Sequence, residues 1–352
     1  AQAGAPAQAQ APSQGFGVPA HQAAPTGAGQ GERPLQEGMQ AEQQGGTGFG
    51  TATRTLQCQS CGANVSFPDG QIAQKCDFCG SQHVLEQSSG RNVIQPSALV
   101  PFAVPGEQAK AKFKEWMGSL WFRPSDLKTA AQVGEIGGVY VPYWSFDAWV
   151  DSQWQAEAGY AYHESEVVIE MVNGQKQQRT KQVRKVRWQP AHGQRRDFFD
   201  DILVVASKGL PRQIADRMRT FDTAGLAPYD PRYLSGYRAE EYGVGLSDAW
   251  ALGEQQMFRE QESRCSGDVP GDEQRGLQVR SQASQQMFKH ILLPLWIASY
   301  QYQGKAYRFL VNGQTGEVQG EAPWSMLKIV LFIATIVAVI AGIVMLIRSQ
   351  QG

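Results

Sequence analysis

The residues of this chain best suited to chemistry are four cysteines in two short turns. They are Cys58-Gln-Ser-Cys61-Gly62 and, after fourteen intervening residues, Cys76-Asp-Phe-Cys79-Gly80. A CxxC turn aims two sulfurs at one point, and the glycine that follows lets backbone amides face those sulfurs. Two such turns at this separation supply the four thiolates of a tetrahedral structural zinc site. The expected cofactor is one structural Zn2+ held by Cys58, Cys61, Cys76 and Cys79. The competing chemistry is a redox dithiol, but neither pair lies in a βαβ pattern of the thioredoxin kind. The fifth cysteine, Cys265, stands in a polar stretch without a CxxC partner, and His83 reads as surface rather than as a ligand.

No catalytic constellation accompanies this site, so a non-enzymatic protein is expected. The five histidines are scattered and form no HExxH pattern, and neither a GxxxxGK[ST] loop nor a GxGxxG after a strand occurs. Asp200-Asp201 and Glu240-Glu241 are acid pairs. Adjacent residues on a strand point to opposite faces, so each pair reads as surface rather than as acid/base machinery. Six tryptophans from Trp144 to Trp296 read as core and rim packing.

Charge narrows the partners. The 352 residues carry a formal net charge of −1, which excludes binding of polyanions by the whole chain's charge. The cysteine segment is not basic either: Arg54 and Lys75 stand against Asp69, Asp77, Glu86 and the formal −2 of a four-thiolate zinc site. One basic run does occur, comprising Lys176, Arg179, Lys181, Arg184, Lys185, Arg187, Arg195 and Arg196 with no acid among them. Lys181, Arg184, Lys185 and Arg187 are candidates for contact with anionic lipid or another polyanion. A solvated strand face is the plain alternative.

The elements that must position these groups follow from pattern and composition. Residues 1–50, rich in Ala, Gln, Gly and Pro, read as a disordered arm. Residues 54–87 read as a small β zinc ribbon, with 63–67 and 71–75 as a hairpin about Pro68-Asp69-Gly70. Residues 92–322 read as one mixed α+β domain. Phe113, Trp116, Met117 and Leu120 give the apolar face of a helix starting near Glu107 and ended by Arg123-Pro124. Residues 139–147 form an aromatic strand in which Pro142 implies an edge or bulge position. Asn173-Gly174 marks a hairpin turn between 166–172 and 175–188. Residues 200–206 read as a short apolar strand. A helix over Leu246 to Met257 is expected to be capped by Ser247 or Asp248. Two late strands, 291–302 and 305–311, close around Gln303-Gly304.

At the far end, residues 329–347 run without a charge, IVLFIATIVAVIAGIVMLI. That length suits a helix crossing a bilayer. Trp324 and Lys328 before it and Arg348 after it suit the interfaces. The expected membrane helix spans 325–347 and leaves a short tail, 348–352. The first 50 residues lack the apolar region of a signal peptide. A tail-anchored, single-pass protein follows, with its N-terminal bulk in the cytoplasm, where thiolates stay reduced.

The chain resembles a bacterial family of membrane-anchored zinc-ribbon proteins, often labelled "primosomal helicase-like" or "TFIIB-type zinc ribbon". The matching stretches are the two cysteine turns, VYVPYWSFDA (139–148), RWQPAHG (187–193), PYDPRYLSGYRAEEYGV (228–244) and LLPLWIASYQYQGKAYRFLVNGQTGEVQGEAP (292–323). The likeness covers 54–325; it is specific in the last block and generic in the cysteine turns. Some members are encoded near phage-shock-type, ESCRT-III-like proteins and flotillin-like SPFH proteins. The resemblance therefore implies an adaptor at the bacterial cytoplasmic (inner) membrane in envelope stress, with such proteins as partners. The long Gln/Ala/Pro arm is an addition to the family pattern. The expected function is a scaffold recruiting partner proteins to the membrane. The alternative is a membrane-tethered zinc-ribbon protein that binds nucleic acid through the ribbon and the basic run.

Overall fold

A computed structural model describes residues 31–44, 49, 53–68, 76–87, 93–127, 132–133, 136–172, 175–210, 212–215, 217–218 and 221–350. In chain order the elements begin with β1 (Arg33–Pro34), α1 (Leu35–Gln44), β2 (Thr53–Cys58), β3 (Asn64–Pro68), β4 (Val84–Gln87) and β5 (Ala98–Leu99). Next come α2 (Gly106–Ser119), β6 (Gln132–Val133), β7 (Gly137–Val172), β8 (Gln175–Val205), α3 (Arg212–Ala215) and β9 (Ala227–Pro228). The chain continues through β10 (Arg238–Glu240), α4 (Leu246–Asp268), β11 (Glu273–Tyr302), β12 (Lys305–Asn312), β13 (Val318–Gly320) and α5 (Met326–Gln350).

The strands form one large mixed sheet, so the α+β reading holds in its coarse form. Its main path runs β13-β12-β11-β7-β10-β3-β2-β4, with β8 on the other part of β7. Three strands dominate. β8 pairs with β7 from Tyr143↔Val205 to Val172↔Gln175, and β11 pairs with β7 from Pro294↔Tyr140 to Glu273↔Gly159. The pairing of β7 with β8 runs up to Val172↔Gln175, and the Asn173-Gly174 pair read as a hairpin turn lies outside the described residues. Beyond Gly159 the third strand is gone, and 160–172 with 175–187 continue as a two-stranded ribbon of roughly 40 Å at 3.3 Å per residue.

The inner face of the three-stranded part is covered by α4. Phe146, Ala148 and Val150 alternate along β7 toward Trp250 and Met257. The N-terminal end of α4 is not held by its own Ser247 or Asp248. Instead the Leu246 N–H donates to Glu42 Oε1 of α1 at 3.1 Å, which also places a carboxylate at the positive end of the helix. Sequence alone could not find this cap, because Glu42 lies in the segment read as a disordered arm. Within that segment 31–44 form β1 and α1. β1 pairs with Met287 and Phe288, and Leu35 and Met39 join the α4 core. Residues 1–30 lie outside the described set.

Other expectations fare variously. The α2 helix starts where read but ends at Ser119, short of Arg123-Pro124. The late hairpin turns at Gln303 and Gly304, with φ of 49° and 76°, although its first strand begins at Glu273 rather than at 291. Pro142 lies in the interior of the sheet rather than at an outer edge. Its carbonyl accepts from the Ala206 N–H, so its missing N–H faces the gap where β10 ends and β8 has not yet begun. That gap acts as a local edge. β3 pairs with β2 through Leu56↔Val65, whereas the predicted partner strand, 71–75, lies outside the described residues. The short strands expected at 166–188 and 200–206 are parts of β7 and β8. Glu240 and Glu241 are buried, not surface, because β10 is sandwiched between β3 and β7.

Candidate metal centre and anchor

The two cysteine turns have the same backbone. The Gly62 N–H donates to Cys58 O at 2.9 Å and the Gly80 N–H to Cys76 O at 2.8 Å. Gly62 and Gly80 adopt φ of +79° and +73°, a left-handed region that only glycine enters without strain. Cys58 Sγ lies 3.6 Å from Cys79 Sγ, and Cys61 Sγ 3.6 Å from Cys76 Sγ; all four sulfurs fall within 4.8 Å of one another. A tetrahedron with metal–sulfur bonds of about 2.3 Å has edges of about 3.8 Å. The four cysteines can therefore hold a metal ion such as zinc.

The thiols bear on one another. Burial opposes ionisation of Cys58, but the N–H groups of Cys61 and Ser60 outweigh it and bring it down to about 7. Burial pushes Cys79 up to about 11, and the neighbouring Cys61 pushes Cys76 higher still. His83 is exposed, as read.

The centre is not a separate bead on the chain. β3 joins β10, and β10 joins β7, so the cysteine-bearing strands continue the main sheet. Cys58, Cys76, Val65 and Phe78 share one core with Val139, Val141, Leu293 and Ile297. Arg238 of β10 forms an ion pair with Asp77, between the second pair of cysteines. Gly209 lies so close that a Cβ there would meet Ala63 Cβ at 2.6 Å and the Phe78 ring at 2.9 Å. Sequence reasoning missed Arg238 and Gly209, since neither stands near a cysteine in the chain.

Two acids lie behind the centre. Glu241 accepts from Thr55 Oγ1 at 2.9 Å. Burial pushes the Glu240 carboxyl up to about 8, against hydrogen bonds from Ser207, Gly209 and Asn64. An unfolded chain ionises this group near 4.5 and the folded one only near 8, so its contribution to stability falls as pH rises through that window. Glu240→Gln is expected to flatten this fall. The check is the melting temperature of both proteins at about pH 5 and about pH 8.

A second acidic group, Asp147, Asp200 and Asp201, has carboxylate oxygens within 4.8 Å of one another. Its cation is already present. Lys289 Nζ lies 2.7 Å from Asp201 Oδ1, 3.8 Å from Asp147 Oδ2 and 3.3 Å from Glu32 Oε1. Asp201, at the β8 bulge with φ of 51°, donates its N–H to Asp147 Oδ1. The surface reading of the 200–201 pair fits Asp200 alone.

α5 is long and apolar enough to cross a membrane over Met326–Ser349, and none of that span is buried in the protein. Its base is fixed to the body. The Ser325 N–H donates to Phe122 O at 2.8 Å, Lys328 Nζ to Trp121 O at 3.3 Å, and Arg123 stacks on Trp324 at 3.8 Å from the ring centre. Trp121 and Trp324 are exposed beside it, 77% and 63%. Two tryptophans and two cations at one end of an apolar helix suit a bilayer interface. Trp324 and Lys328 are legible next to the helix; Trp121 and Arg123 are brought there by the fold.

The basic run lies elsewhere. Tyr300 of β11 donates to Glu321 O next to the anchor, whereas Glu273 at the other end of β11 marks the root of the two-stranded ribbon, about 80 Å away along the strand. Arg184, Lys185, Arg187 and Lys181 lie on that ribbon. Arg184 pairs with Glu273, Lys185 with both Glu164 and Glu166, and Arg187 sits over the Tyr162 ring. Nearer the body, Arg195 pairs with Asp197 and Asp268, and Arg196 with Asp151.

No family model matches the chain, and no solved structure matches it. It is similar to the uncharacterized protein YdjG of Bacillus subtilis (strain 168), with 24% identity over 328 residues, spanning 78% of this chain and 92% of YdjG.

Proposed function

We propose that this protein is a non-enzymatic, zinc-stabilised membrane scaffold that recruits partner proteins to the cytoplasmic face of a bacterial membrane. The observation that carries the reading is a long β platform whose one end is fixed to an apolar helix and whose other end reaches far from it. Such a body can hold partners near a bilayer without chemistry of its own. The four cysteines serve as a structural zinc site, which suits their place in the main core rather than on a free surface. A role in envelope stress, beside phage-shock or SPFH-type proteins, extends this reading by resemblance. Of the competing partners, nucleic acid is less favoured, because Arg184, Lys185, Arg195 and Arg196 are matched by carboxylates of the same chain.

The anchoring part is tested by ending the chain before Met326. The full chain is expected to stay with membranes through a carbonate wash, and the shortened chain to move to the soluble fraction with its metal retained. A shortened chain that remains in the membrane pellet contradicts the reading.

A further inference from the structure

The two-stranded ribbon beyond Gly159 has no third strand and no covering helix among the described residues. A lone hairpin in water is at best marginally stable. Its two edges are treated differently, and the backbone alternation shows how.

β7 carries no bulge of its own; the register shifts fall on β8 and β11. Its main-chain groups therefore alternate without interruption. Pro142 faces the β8 side, through the Ala206 N–H. Gly159 and Ala161 face the other side, accepting from the Asp272 N–H and donating to Asp272 Oδ2, both at 2.8 Å. Odd-numbered residues of β7 thus point their N–H and C=O groups away from β8. Up to Gly159 β11 takes them, and Asp272 takes the Ala161 N–H. From His163 through Ser165, Val167 and Ile169 nothing does among the described residues.

The outer edge of β8 is guarded. Pro190, opposite Glu157, has its missing N–H on that edge, and the strand is dense in Lys and Arg. Proline and basic residues are the usual means of keeping an exposed edge from pairing. The open edge of β7 has neither: residues 160–172, YAYHESEVVIEMV, contain no Lys, Arg, Pro or Gly. Val167 and Ile169 are each 63% exposed. Lys185 of β8 pairs with Glu164 and Glu166, and the β-branched run Val167-Val168-Ile169 on an open edge suits a strand that adds to another.

We propose that this edge is a homotypic strand-addition site. β7 of one molecule pairs antiparallel with β7 of a second about a two-fold axis, so that the two ribbons share one four-stranded sheet with both β8 strands outermost. The bodies then lie at opposite ends, clear of the point where β11 stops. The sequence selects the register. Centring the axis on Val167 or Val168 would oppose Glu164 or Glu166 to Glu170, whereas setting Ile169 opposite Ile169 opposes no glutamate to another. An interface of this isologous type closes as a dimer.

The test is sedimentation of the full-length protein in density-matched detergent over a range of concentrations. The wild type is expected to form a dimer. Val167→Pro removes an outward N–H without touching the β8 ladder, and is expected to leave a monomer. Ile169→Lys keeps every main-chain donor and supplies the missing guard, and is expected to raise the dimer dissociation constant about tenfold or more. Both variants should still fractionate with membranes and retain their metal. A wild type that stays monomeric throughout, or an Ile169→Lys protein that assembles as the wild type does, overturns the proposal. The membrane reading stands apart, since a monomer that still resists a carbonate wash leaves it intact.

Discussion

Removing metal from the four-cysteine centre, or replacing Cys76 with serine, is expected to destabilise the whole body and not only residues 53–87. Two features carry this expectation. The sheet is continuous from β2 through β3 and β10 to β7, and Cys58 and Cys76 lie in the same core as Val139, Val141, Leu293 and Ile297. Losing the metal leaves a group of thiols whose ionisation burial opposes, as the raised Cys79 shows. It also loosens Asp77, the partner of Arg238 on the bridging strand. Structural zinc contributes on the order of 10 kcal/mol in small domains that have no other core. Here the surrounding sheet retains part of its own packing, so a loss of about 4 kcal/mol is expected. For a body of this size that corresponds to a fall of roughly 8–16 °C in melting temperature. Calorimetry with and without a chelator gives the number. A body transition that is unmoved while the cysteine segment alone opens would show that the two are energetically separate.

The second large effect is at Lys289. Its ammonium is buried among Asp147, Asp201 and Glu32, and burial that would disfavour the charge is outweighed by these carboxylates, which raise it to about 12. Burial pushes Asp147 up to about 7 even with the lysine present, while Lys289, Thr223 and Ser145 hold Asp201 below the usual carboxylate range against its own burial. Lys289→Ala would leave two buried carboxyl groups without a cation, at a cost of about 3 kcal/mol or more at neutral pH. The sign with pH is defined. Without the lysine Asp147 is pushed further above its unfolded value and Asp201 loses the cation that holds it below, so the variant loses stability as pH rises and recovers it as pH falls and the carboxyls take up protons. Adding Asp147→Asn and Asp201→Asn to Lys289→Ala should restore a large part of the loss. Denaturant unfolding of the three proteins at about pH 5 and about pH 8 checks this; equal losses for single and triple variants would contradict it.

The parts legible in the sequence are those set by local chemistry. The cysteine turns announce themselves because two sulfurs and a left-handed glycine must occur within five residues. The apolar helix shows because a bilayer needs one long uncharged run, and α2 and the late hairpin show through helical periodicity and a Gln-Gly turn. What escaped was set at long range. The length of β7 and β8 was hidden because most of their outer positions are polar on both faces, so the period-two alternation fades beyond Gly159. The burial of Glu240 and Glu241 depends on β3 and β7 closing over a three-residue strand, which no local pattern signals. Lys289 looks like an ordinary strand lysine until Asp147, Asp201 and Glu32 converge on it from three other parts of the chain. α1 was hidden by composition: an Ala- and Gln-rich stretch cannot fold alone, but Leu35 and Met39 gain their partners from α4 and β11.

The measurement that tests the central claim most directly is capture of the full-length protein from detergent-solubilised membranes, with and without nuclease, read by mass spectrometry. A membrane scaffold predicts a stable set of membrane-associated proteins that survives nuclease. A set dominated by nucleic-acid-bound proteins and lost on nuclease treatment would contradict it.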